Sequence, residues 1–493
     1  MSPTVNSKRD RGDMITVVVR SQDPNGKALL AQAIQRINWT PLYQLPHCNE
    51  MVISFYRTLT SLIDYHLPLL TVRRHSTDKP WVTDQFRQLI CCRQNARKNG
   101  QMARYRSCRN KVNRMASHLR RNYYEKKVSG LREGDPLNWW RSVKQITGLK
   151  LKSAQPLSGL ANQLHDGDLQ KLANNINTSL QQVAADLHPL CASYTPPQTD
   201  FIPSEFVIDQ TNVEMKLSRI NIYKAPGPDG IPNWVLRDFC GQLSGPICAI
   251  YNASIREGFV PSCWKEANVI PVPKVHPPRS VESDLRPISL TATLGKLLES
   301  FVGAWILERI ENQLDGRQYG ALRGRSTTHA LVDALHHWHS AVDKGQSVRI
   351  VFVDYAKAFD HVDHNILVAK LLAFDMPDII IRWICAFLTD RRQRVKIGDV
   401  LSDWLRMTAG MPQRSFLGPL TFIILIDSLR AACLSHKFVD DTTLSEIIDK
   451  GAASQMQQFV DELVEGSTRN AMNVNGRKTK EMLIGPICKK PPP

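Results

Sequence analysis

The chain has 493 residues, of which 42% are hydrophobic, so it can bury cores and is not a disordered tail protein. Lys and Arg number 63 against 46 Asp and Glu, and the net charge of +17 predicts affinity for polyphosphates such as nucleic acid. The 11 cysteines are scattered without zinc-ligand spacing, and the apolar run at 422–426 is far too short to span a bilayer. We therefore expect an intracellular protein, nuclear, cytoplasmic or both, with no membrane partner.

The N-terminal stretch contains a predicted helix around 51–65 and carries no recognisable chemistry. Between Arg87 and Lys127 the sequence has nine Arg and four Lys against one acid, Glu125. The cations recur at helical intervals among tyrosines, which is typical of a helix that lies along a phosphate backbone, and equally of a solvated charged helix. The excess of one sign favours nucleic-acid binding, with these residues as candidates: Arg97, Arg104, Lys111, Arg120 and Arg121.

Residues 157–209 are rich in Asn, Gln, Pro and Thr, and 194–199 have the composition of an extended linker. We therefore predict a linker over 151–204 and a domain boundary near residue 200.

The segment after this boundary alternates amphipathic helices with short extended runs. Arg323 and Arg325 precede a helix start that contains Ser and Thr, which is a ready phosphate-binding arrangement, although an ordinary helix cap explains the hydroxyls equally well. The predicted helices and strands cover 213–220, 267–274, 284–290, 295–310 and 330–342.

From residue 348 onwards the pattern is strand, helix, hairpin, helix, strand-turn-strand, helix and strand. We interpret this as a βαββαβ order, which predicts an α+β fold with an antiparallel sheet and helices on one face. The predicted segments are 349–355, 365–374, 379–388, 394–397 with 404–407, 417–429, 437–444, 454–472 and 481–484.

Three aspartates are candidates for a metal-dependent site. Asp354 ends the first of these strands, and Asp440 and Asp441 occupy the tip of the strand-turn-strand. Two Mg²⁺ ions about 3.5–4 Å apart need a shared cage of oxygen ligands, which carboxylates from neighbouring strands can supply. An Asp pair alone is usually a turn, and a lone Asp at a strand end is often a cap. Here Asp354, the Asp pair and the motif at 410–413 that lies between them occur together in a basic chain, and this combination favours nucleotidyl transfer.

Seven motifs in order make the sequence resemble the reverse transcriptases of non-LTR (LINE-type) retrotransposons, nearest the jockey-like clades, over about residues 75–485. The basic stretch and Trp139-Trp140 also resemble the segment that joins endonuclease to polymerase in that family. The motifs lie at 224–230, 270–274 with 285–289, 318–320 with 323–328, 352–360, 410–413 with 417–419, 438–441 and 478–480.

The resemblance implies a right-hand polymerase with fingers and palm that copies an RNA template into DNA from the 3′ hydroxyl of a DNA primer. It implies that Asp354 and Asp440 hold two Mg²⁺ (or Mn²⁺) ions, with Asp441 as the adjoining carboxylate. Phe359 would lie against the 2′ position of the sugar, but it could equally be a core residue. The other implied dNTP contacts are Lys274 and Arg286 with the triphosphate, Gln413 beside the sugar, and Lys478 near the pyrophosphate.

Together these features predict an organisation along the chain. We expect a region of unknown role at 1–74, a basic helical nucleic-acid-binding linker at 75–150, the linker at 151–204, fingers at 205–345, and a palm at 346–488. The reverse transcriptase domain would cover about 250–488.

Two departures from the family pattern predict a partial copy. Arg414 stands where the family has Gly, which lets the nascent base pair approach the backbone. We expect no thumb after the last palm strand and no endonuclease before residue 75, so an endonuclease would be supplied elsewhere. The predicted function is RNA-directed DNA polymerase, and the alternative is a non-enzymatic RNA- or DNA-binding remnant of one.

Overall fold

The computed structural model describes residues 14–21, 23–75, 79, 81–129, 157–191, 196 and 201–489. The chain forms two compact units. The N-terminal unit comprises Met1–Leu30 with Ile63–Gln155, and the main unit comprises Ala31–Leu62 with Pro156–Pro493. This division does not fall at residue 200, and it separates Ala31–Leu62 from the rest of residues 1–74.

The N-terminal unit contains a two-stranded sheet and two basic helices. Strand β1 (Met14–Arg20) pairs antiparallel with β2 (Leu69–His75). The helices Asp84–Lys98 and Met102–Ser129 pack against each other. Gly100, with φ of 69°, lies in the break between them, so the basic stretch forms two helices where one was predicted.

The main unit mixes helices with nine described strands. In chain order the strands are β3 (Glu266–Pro273), β4 (Leu285–Thr291), β5 (Ser347–Val353), β6 (Arg391–Ile397), β7 (Val400–Leu401), β8 (Leu405–Met407), β9 (Leu434–Phe438), β10 (Asp441–Ile448) and β11 (Lys480–Ile484).

The helices before residue 67 are Pro24–Gln35, Thr40–Tyr43 and Cys48–His66. Across the described ranges, every helix is too short or too polar to cross a bilayer. The later helices are Ser158–His165, Leu169–Gln182, Gln210–Ser218, Asn233–Asp238, Cys240–Glu257, Ser262–Lys265, Thr293–Ile310, Thr327–Asp343, His364–Ala373, Asp378–Leu388, Leu417–Ile426 and Met456–Arg469, with 3-10 turns at Ser204–Phe206 and Pro486–Lys489.

The first sheet of the main unit has the order β4-β3-β6-β7, and β8 also pairs with β6. Strands β3 and β6 run parallel, whereas the other pairs are antiparallel. The predicted hairpin around 394–397 and 404–407 is present as β6 with β8. It belongs to this sheet and not to the sheet that carries Asp354.

Two helices cover this first sheet where a linker was predicted. Helices Ser158–His165 and Leu169–Gln182 bury Leu160, Leu172 and Ile176 against the sheet residues Val269 and Val395. The linker prediction for 151–204 is therefore wrong over these two helices. The predicted linker at 194–199 falls outside the described residues, apart from Pro196.

The amide side chains that suggested a linker bind the sheet edge instead. Asn177 is buried, and its Nδ2 donates to Ser402 Oγ at 3.1 Å and to the Asp403 carbonyl at 2.9 Å. Gln181 donates to the Arg406 carbonyl at 2.9 Å. These amides satisfy backbone groups at the edge of the sheet, which explains why an Asn-rich and Gln-rich segment is helical and packed.

The second sheet has the order β11-β5-β10-β9, and all its pairs are antiparallel. Helix Thr327–Asp343 covers the face that contains Val348 and Ile350. Arg349 points to the opposite face, where it donates to Ser454 just before helix Met456–Arg469. Val351 and Val353 on that opposite face are also buried, so both faces of this sheet are covered.

Candidate active site

The turn between β9 and β10 carries two of the predicted aspartates. Asp441 pairs with Phe438, so Val439 and Asp440 form a two-residue hairpin turn. Val439 has φ of 58°, which a β-branched residue rarely adopts. The backbone at the turn is thus strained immediately before Asp440.

Asp354 lies at the same end of the neighbouring strand. Val353 is opposite Thr442, so Asp354 and Asp441 are the next residues along the two strands. The Asp354 carbonyl accepts a hydrogen bond from Asn475 N at 2.7 Å, which ties the strand end to the turn before β11. The register therefore brings the three predicted aspartates to one edge of the second sheet.

These carboxyl groups lie close enough to perturb one another. Burial raises the pKa of Asp440, and the charges of Asp441 and Asp354 raise it further. Burial also raises the pKa of Asp441, and Asp354 adds to that effect. Asp354 Oδ2 is buried without a hydrogen bond, and Lys478 Nζ lies 3.4 Å from it.

This edge has the donor chemistry that a divalent metal requires, because hard carboxylate oxygens in mutual repulsion are stabilised by a cation. Among the described residues, no three His, Cys, Asp or Glu side chains are already gathered as a metal cage. Metal binding would therefore require the three carboxylates to turn towards one another. The Asp354 Oδ2, which is buried and accepts no hydrogen bond, is the atom best suited to that role.

An open cleft of about 710 Å³ lies beside the aspartates. Among its walls are Asp354 and Asp440, together with all five residues predicted to contact a dNTP: Lys274, Arg286, Phe359, Gln413 and Lys478. Asp441 does not line this cleft.

The cleft contains a group of cations opposite its carboxylates. Four cations (Lys274, Arg286, Lys357 and Lys478) and four acids (Glu282, Asp354, Asp360 and Asp440) line it. Burial lowers the pKa of Lys274, and the charges of Lys478, Arg286 and Lys357 lower it further. Mutual repulsion among cations in a partly desolvated cleft is relieved when a polyanion binds. The cleft is therefore suited to a polyphosphate ligand.

Two loops form one wall of the cleft. Met411 N donates to the Phe359 carbonyl at 2.7 Å, and Gln413 Nε2 donates to the Asp360 carboxylate. Gly410 has φ of 79°, and a Cβ there would lie 2.7 Å from the Asp360 carbonyl oxygen. The two loops thus approach closely at a position that only glycine fits.

Phe359 packs against another aromatic ring and also borders the cleft. Its ring centroid lies 5.6 Å from that of Phe422, and it also lines the cleft.

Arg414 has φ of 74° and an exposed side chain. The left-handed conformation gives a reason for glycine here that differs from the one predicted. The backbone itself favours glycine, independently of any approaching base pair.

The other predicted phosphate-binding residues lie away from the cleft lining. Arg323 is exposed. Arg325 Nη1 donates to the carbonyls of Gly316 at 2.6 Å and Gln318 at 2.8 Å, so part of its guanidinium has a structural role. Ser326 caps the following helix by accepting from His329 N.

The five basic residues predicted to bind nucleic acid are all exposed on the two helices of the N-terminal unit. Arg121 forms an ion pair with Glu125 at 2.8 Å. The others have the exposure that phosphate contact requires: Arg97, Arg104, Lys111 and Arg120.

Several residues that shape the site were not among the residues predicted from the sequence. Lys357 and Asp360 lie inside a recognised motif, but they were given no role. Asn475 lies in a turn, and its contact with Asp354 depends on the pairing of β11 with β5. Gln318, also within a motif, contacts the turn at Val439.

Carboxylates at one end of an antiparallel sheet, beside a cleft that also contains four cations, in a fold of mixed helices and sheets, define a nucleic-acid polymerase fold. Residues 272–491 match the family described as reverse transcriptase (RNA-dependent DNA polymerase). This part of the chain is a reverse transcriptase domain of the non-LTR retrotransposon type.

Three similar proteins come from Drosophila melanogaster. The probable RNA-directed DNA polymerase from transposon BS is 28% identical over 277 residues, which cover 53% of this chain and 30% of that protein. The corresponding protein from transposon X-element is 27% identical, with coverages of 64% and 35%. The RNA-directed DNA polymerase from mobile element jockey is 25% identical, with coverages of 54% and 30%.

The matched region thus spans about a third of the length of these relatives. A solved structure of apo telomerase from Candida tropicalis matches this chain with a TM-score of 0.34 and 13% identity. The match covers 46% of this chain and 51% of the telomerase chain. That likeness is too distant to support an argument.

Proposed function

We propose that this chain is an RNA-directed DNA polymerase that extends a DNA primer on an RNA template. The observation that carries the proposal is the meeting of Asp354 with the Asp440-Asp441 turn beside a cleft that contains four cations. Carboxylates and cations in this arrangement serve the two ends of a nucleotidyl transfer, the attacking hydroxyl and the leaving pyrophosphate.

The finer assignment of subdomains follows from the two sheets. We assign residues 346–488 to the palm, except that the hairpin β6 with β8 joins the sheet of β3 and β4. We assign 205–345 to the fingers and add helices Ser158–His165 and Leu169–Gln182, since they pack on that sheet. The support for this division is that the aspartates lie on one sheet and Arg286 lies on the other.

The carboxylates of Asp354 and Asp440 would hold Mg²⁺ or Mn²⁺, with Asp441 adjoining. When bound, the two ions lower the pKa of the primer hydroxyl and neutralise charge on the triphosphate. Lys274 and Arg286 attract and orient the triphosphate. Lys478, which lies 3.4 Å from Asp354 Oδ2, would give a proton to the departing pyrophosphate.

Selection of the sugar depends on the wall formed by the two loops. Phe359 packs on Phe422 and faces the cleft, so its ring would occupy the space that a 2′ hydroxyl needs. Gln413 lies beside it and is held by Asp360. The ring and the amide together favour dNTPs over ribonucleotides.

Primer extension on the purified chain tests the proposal. An oligonucleotide-primed RNA template is incubated with dNTPs and Mg²⁺, and the Asp440→Ala variant is the matched control. We expect incorporation by the wild type that disappears in Asp440→Ala and in EDTA. Incorporation that survives in Asp440→Ala would contradict the assignment of the site.

The rival proposal is a non-enzymatic nucleic-acid-binding remnant. The strained Arg414 and the exposed cations of the N-terminal unit favour it. In that case both wild type and Asp440→Ala would bind RNA with equal affinity, and neither would incorporate dNTPs.

A further inference from the structure

Residues 317–320 run beside the strand that leads into the turn with Asp440. Lys437 N donates to the Arg317 carbonyl at 3.0 Å, and Tyr319 N donates to the Lys437 carbonyl at 2.8 Å. Gln318 and Lys437 form a parallel bridge. This short segment, which we call the brace, therefore extends the second sheet beyond β9.

The side chain of Gln318 reaches from the brace to the turn. It is 1% exposed, and its Oε1 accepts hydrogen bonds from Val439 N at 3.2 Å and from Gly320 N at 2.9 Å. Without this oxygen, two backbone N–H groups would lose their partner at a point where the chain is already strained. The amide of Gln318 thus holds Val439 in its left-handed conformation.

Gly320 allows the brace to approach the turn. A Cβ at this position would lie 2.6 Å from Val439 N and 2.9 Å from the Phe438 carbonyl carbon. Both neighbours are backbone atoms, which cannot move aside as a flexible side chain would. Any larger residue at 320 must therefore displace the turn.

The brace is itself anchored on its other side. Arg325 donates to the carbonyls of Gly316 and Gln318, and Tyr319 Oη donates to Asp333 at 2.9 Å. Asp333 also contacts His436 Nε2 at 2.9 Å. Because both ends are fixed, a displacement at Gln318 is transmitted to Val439 and is not absorbed by the brace.

We propose that Gln318 and Gly320 are positioning residues that fix Val439 and thereby hold the Asp440 carboxylate in the orientation that binds a divalent metal. Neither residue touches substrate. The inference rests on the proposed polymerase function, because that function assigns Asp440 to the metal ions. It predicts that the brace sets metal affinity even in the absence of catalysis.

The test measures Mn²⁺ binding to the full chain by electron paramagnetic resonance, in the absence of nucleic acid. We expect Gln318→Met, which keeps the volume but removes the acceptor, and Gly320→Ala each to weaken binding about 10-fold or more. Gly316→Ala is the matched control, since a Cβ there meets nothing within 4 Å. Asp440→Ala reports the loss of the site itself.

Hydrogen exchange at the Val439 amide supplies a readout that needs neither metal nor activity. Gln318→Met should speed exchange there, and Gln318→Glu, which keeps an accepting oxygen, should restore the protection. Unchanged Mn²⁺ affinity in Gln318→Met and Gly320→Ala would overturn the proposal, and so would unchanged exchange at Val439.

The two failures can be told apart. If the wild type binds no Mn²⁺ while Val439 exchange responds to Gln318→Met, the metal site of the proposed function is wrong and the brace is only structural. If Gln318→Met does not fold, the comparison of Gly320→Ala with Gly316→Ala decides.

Discussion

The side-chain amide of Gln413 donates to both carboxylate oxygens of Asp360 at 3.1 Å. This contact joins the loop after β8 to the loop after β5, so it links the two sheets that border the cleft. Burial raises the pKa of Asp360 above its ordinary value of 3.8, and the Gln413 amide opposes that shift. The pair is thus a partly buried carboxyl held by a neutral donor, and its contribution to stability depends on pH.

Asp360→Asn should alter the pH dependence of stability. Because the pKa of Asp360 is raised in the folded state, its contribution to stability is complete at pH values below its pKa in the unfolded chain. This contribution is lost as the pH rises through its pKa in the folded state. Asn does not titrate. The unfolding free energy of wild type minus that of the variant should therefore fall as the pH rises above the ordinary pKa of an aspartate. Urea unfolding at several pH values measures this difference, and a constant difference would show that Asp360 is not perturbed.

Mg²⁺ should stabilise the wild type more as pH rises. The pKa values of Asp440 and Asp441 are raised, so these carboxyls keep their protons to higher pH than usual, and a protonated carboxyl does not bind metal. Thermal unfolding with and without Mg²⁺ at acidic and neutral pH measures the effect. Asp440→Asn should show a smaller Mg²⁺-dependent rise in Tm, and an equal rise in both proteins would place the metal elsewhere.

Arg414→Gly should stabilise the chain and raise its rate of dNTP incorporation. Relief of the left-handed φ at a non-glycine residue is worth about 1 kcal/mol in unfolding free energy. Recovery of the loop beside Gln413 should improve alignment of the incoming nucleotide. Arg414→Ala is the control, because it removes the guanidinium but keeps the strain. Equal stabilisation by Ala would assign the effect to the side chain, and a glycine variant no faster than wild type would show that Arg414 is tolerated.

Asn177→Ala should destabilise the main unit by about 2 kcal/mol, because it leaves buried groups at the sheet edge without their partner. Asn175 is exposed on the same helix, and Asn175→Ala should change stability by less than about 0.5 kcal/mol. Denaturant unfolding of the two variants compares them directly. If both substitutions lower the unfolding free energy equally, helix Leu169–Gln182 is not held by its buried amide.

The double variant Arg104→Gln with Lys111→Gln should weaken RNA binding and flatten its salt dependence. Each lost phosphate contact lowers the log–log slope by about 0.7 for single strands and about 0.9 for duplexes. Arg121→Gln is the matched control, because Glu125 already pairs with that guanidinium. Filter binding across a salt series gives the slopes, and a slope that the double variant leaves unchanged would assign these residues to a merely solvated surface.

Local patterns were enough to predict most helices and strands of the main unit. Apolar periodicity placed β5 and the helices Thr293–Ile310 and Thr327–Asp343, and motif order anticipated which residues line the cleft. The helix Leu169–Gln182 was missed because its amides acquire their partners from residues more than 200 positions away. The contact of Gln318 with Val439 was invisible for the same reason, since it spans 121 positions.

Composition also misled where tertiary contacts override it. An Asn-rich and Gln-rich stretch has the appearance of a loop until a sheet edge supplies acceptors and donors for the amides. Arg414 shows the opposite case, because the sequence marks the departure from glycine and only the backbone angle reveals its conformational cost.

The pairing of β6 and β8 with β3 has a mechanical consequence. In the described ranges the two sheets of the main unit share no strand, so each is a separate plate stiffened by its own hydrogen-bond ladder. Arg286 lies on one plate, and Asp354 ends a strand of the other. A small rotation between the plates would change the width of the cleft without breaking the hydrogen bonds of either sheet. The connecting loops would change conformation to allow it. A ligand that contacts both plates would hold them together, and its binding energy would set the width of the cleft.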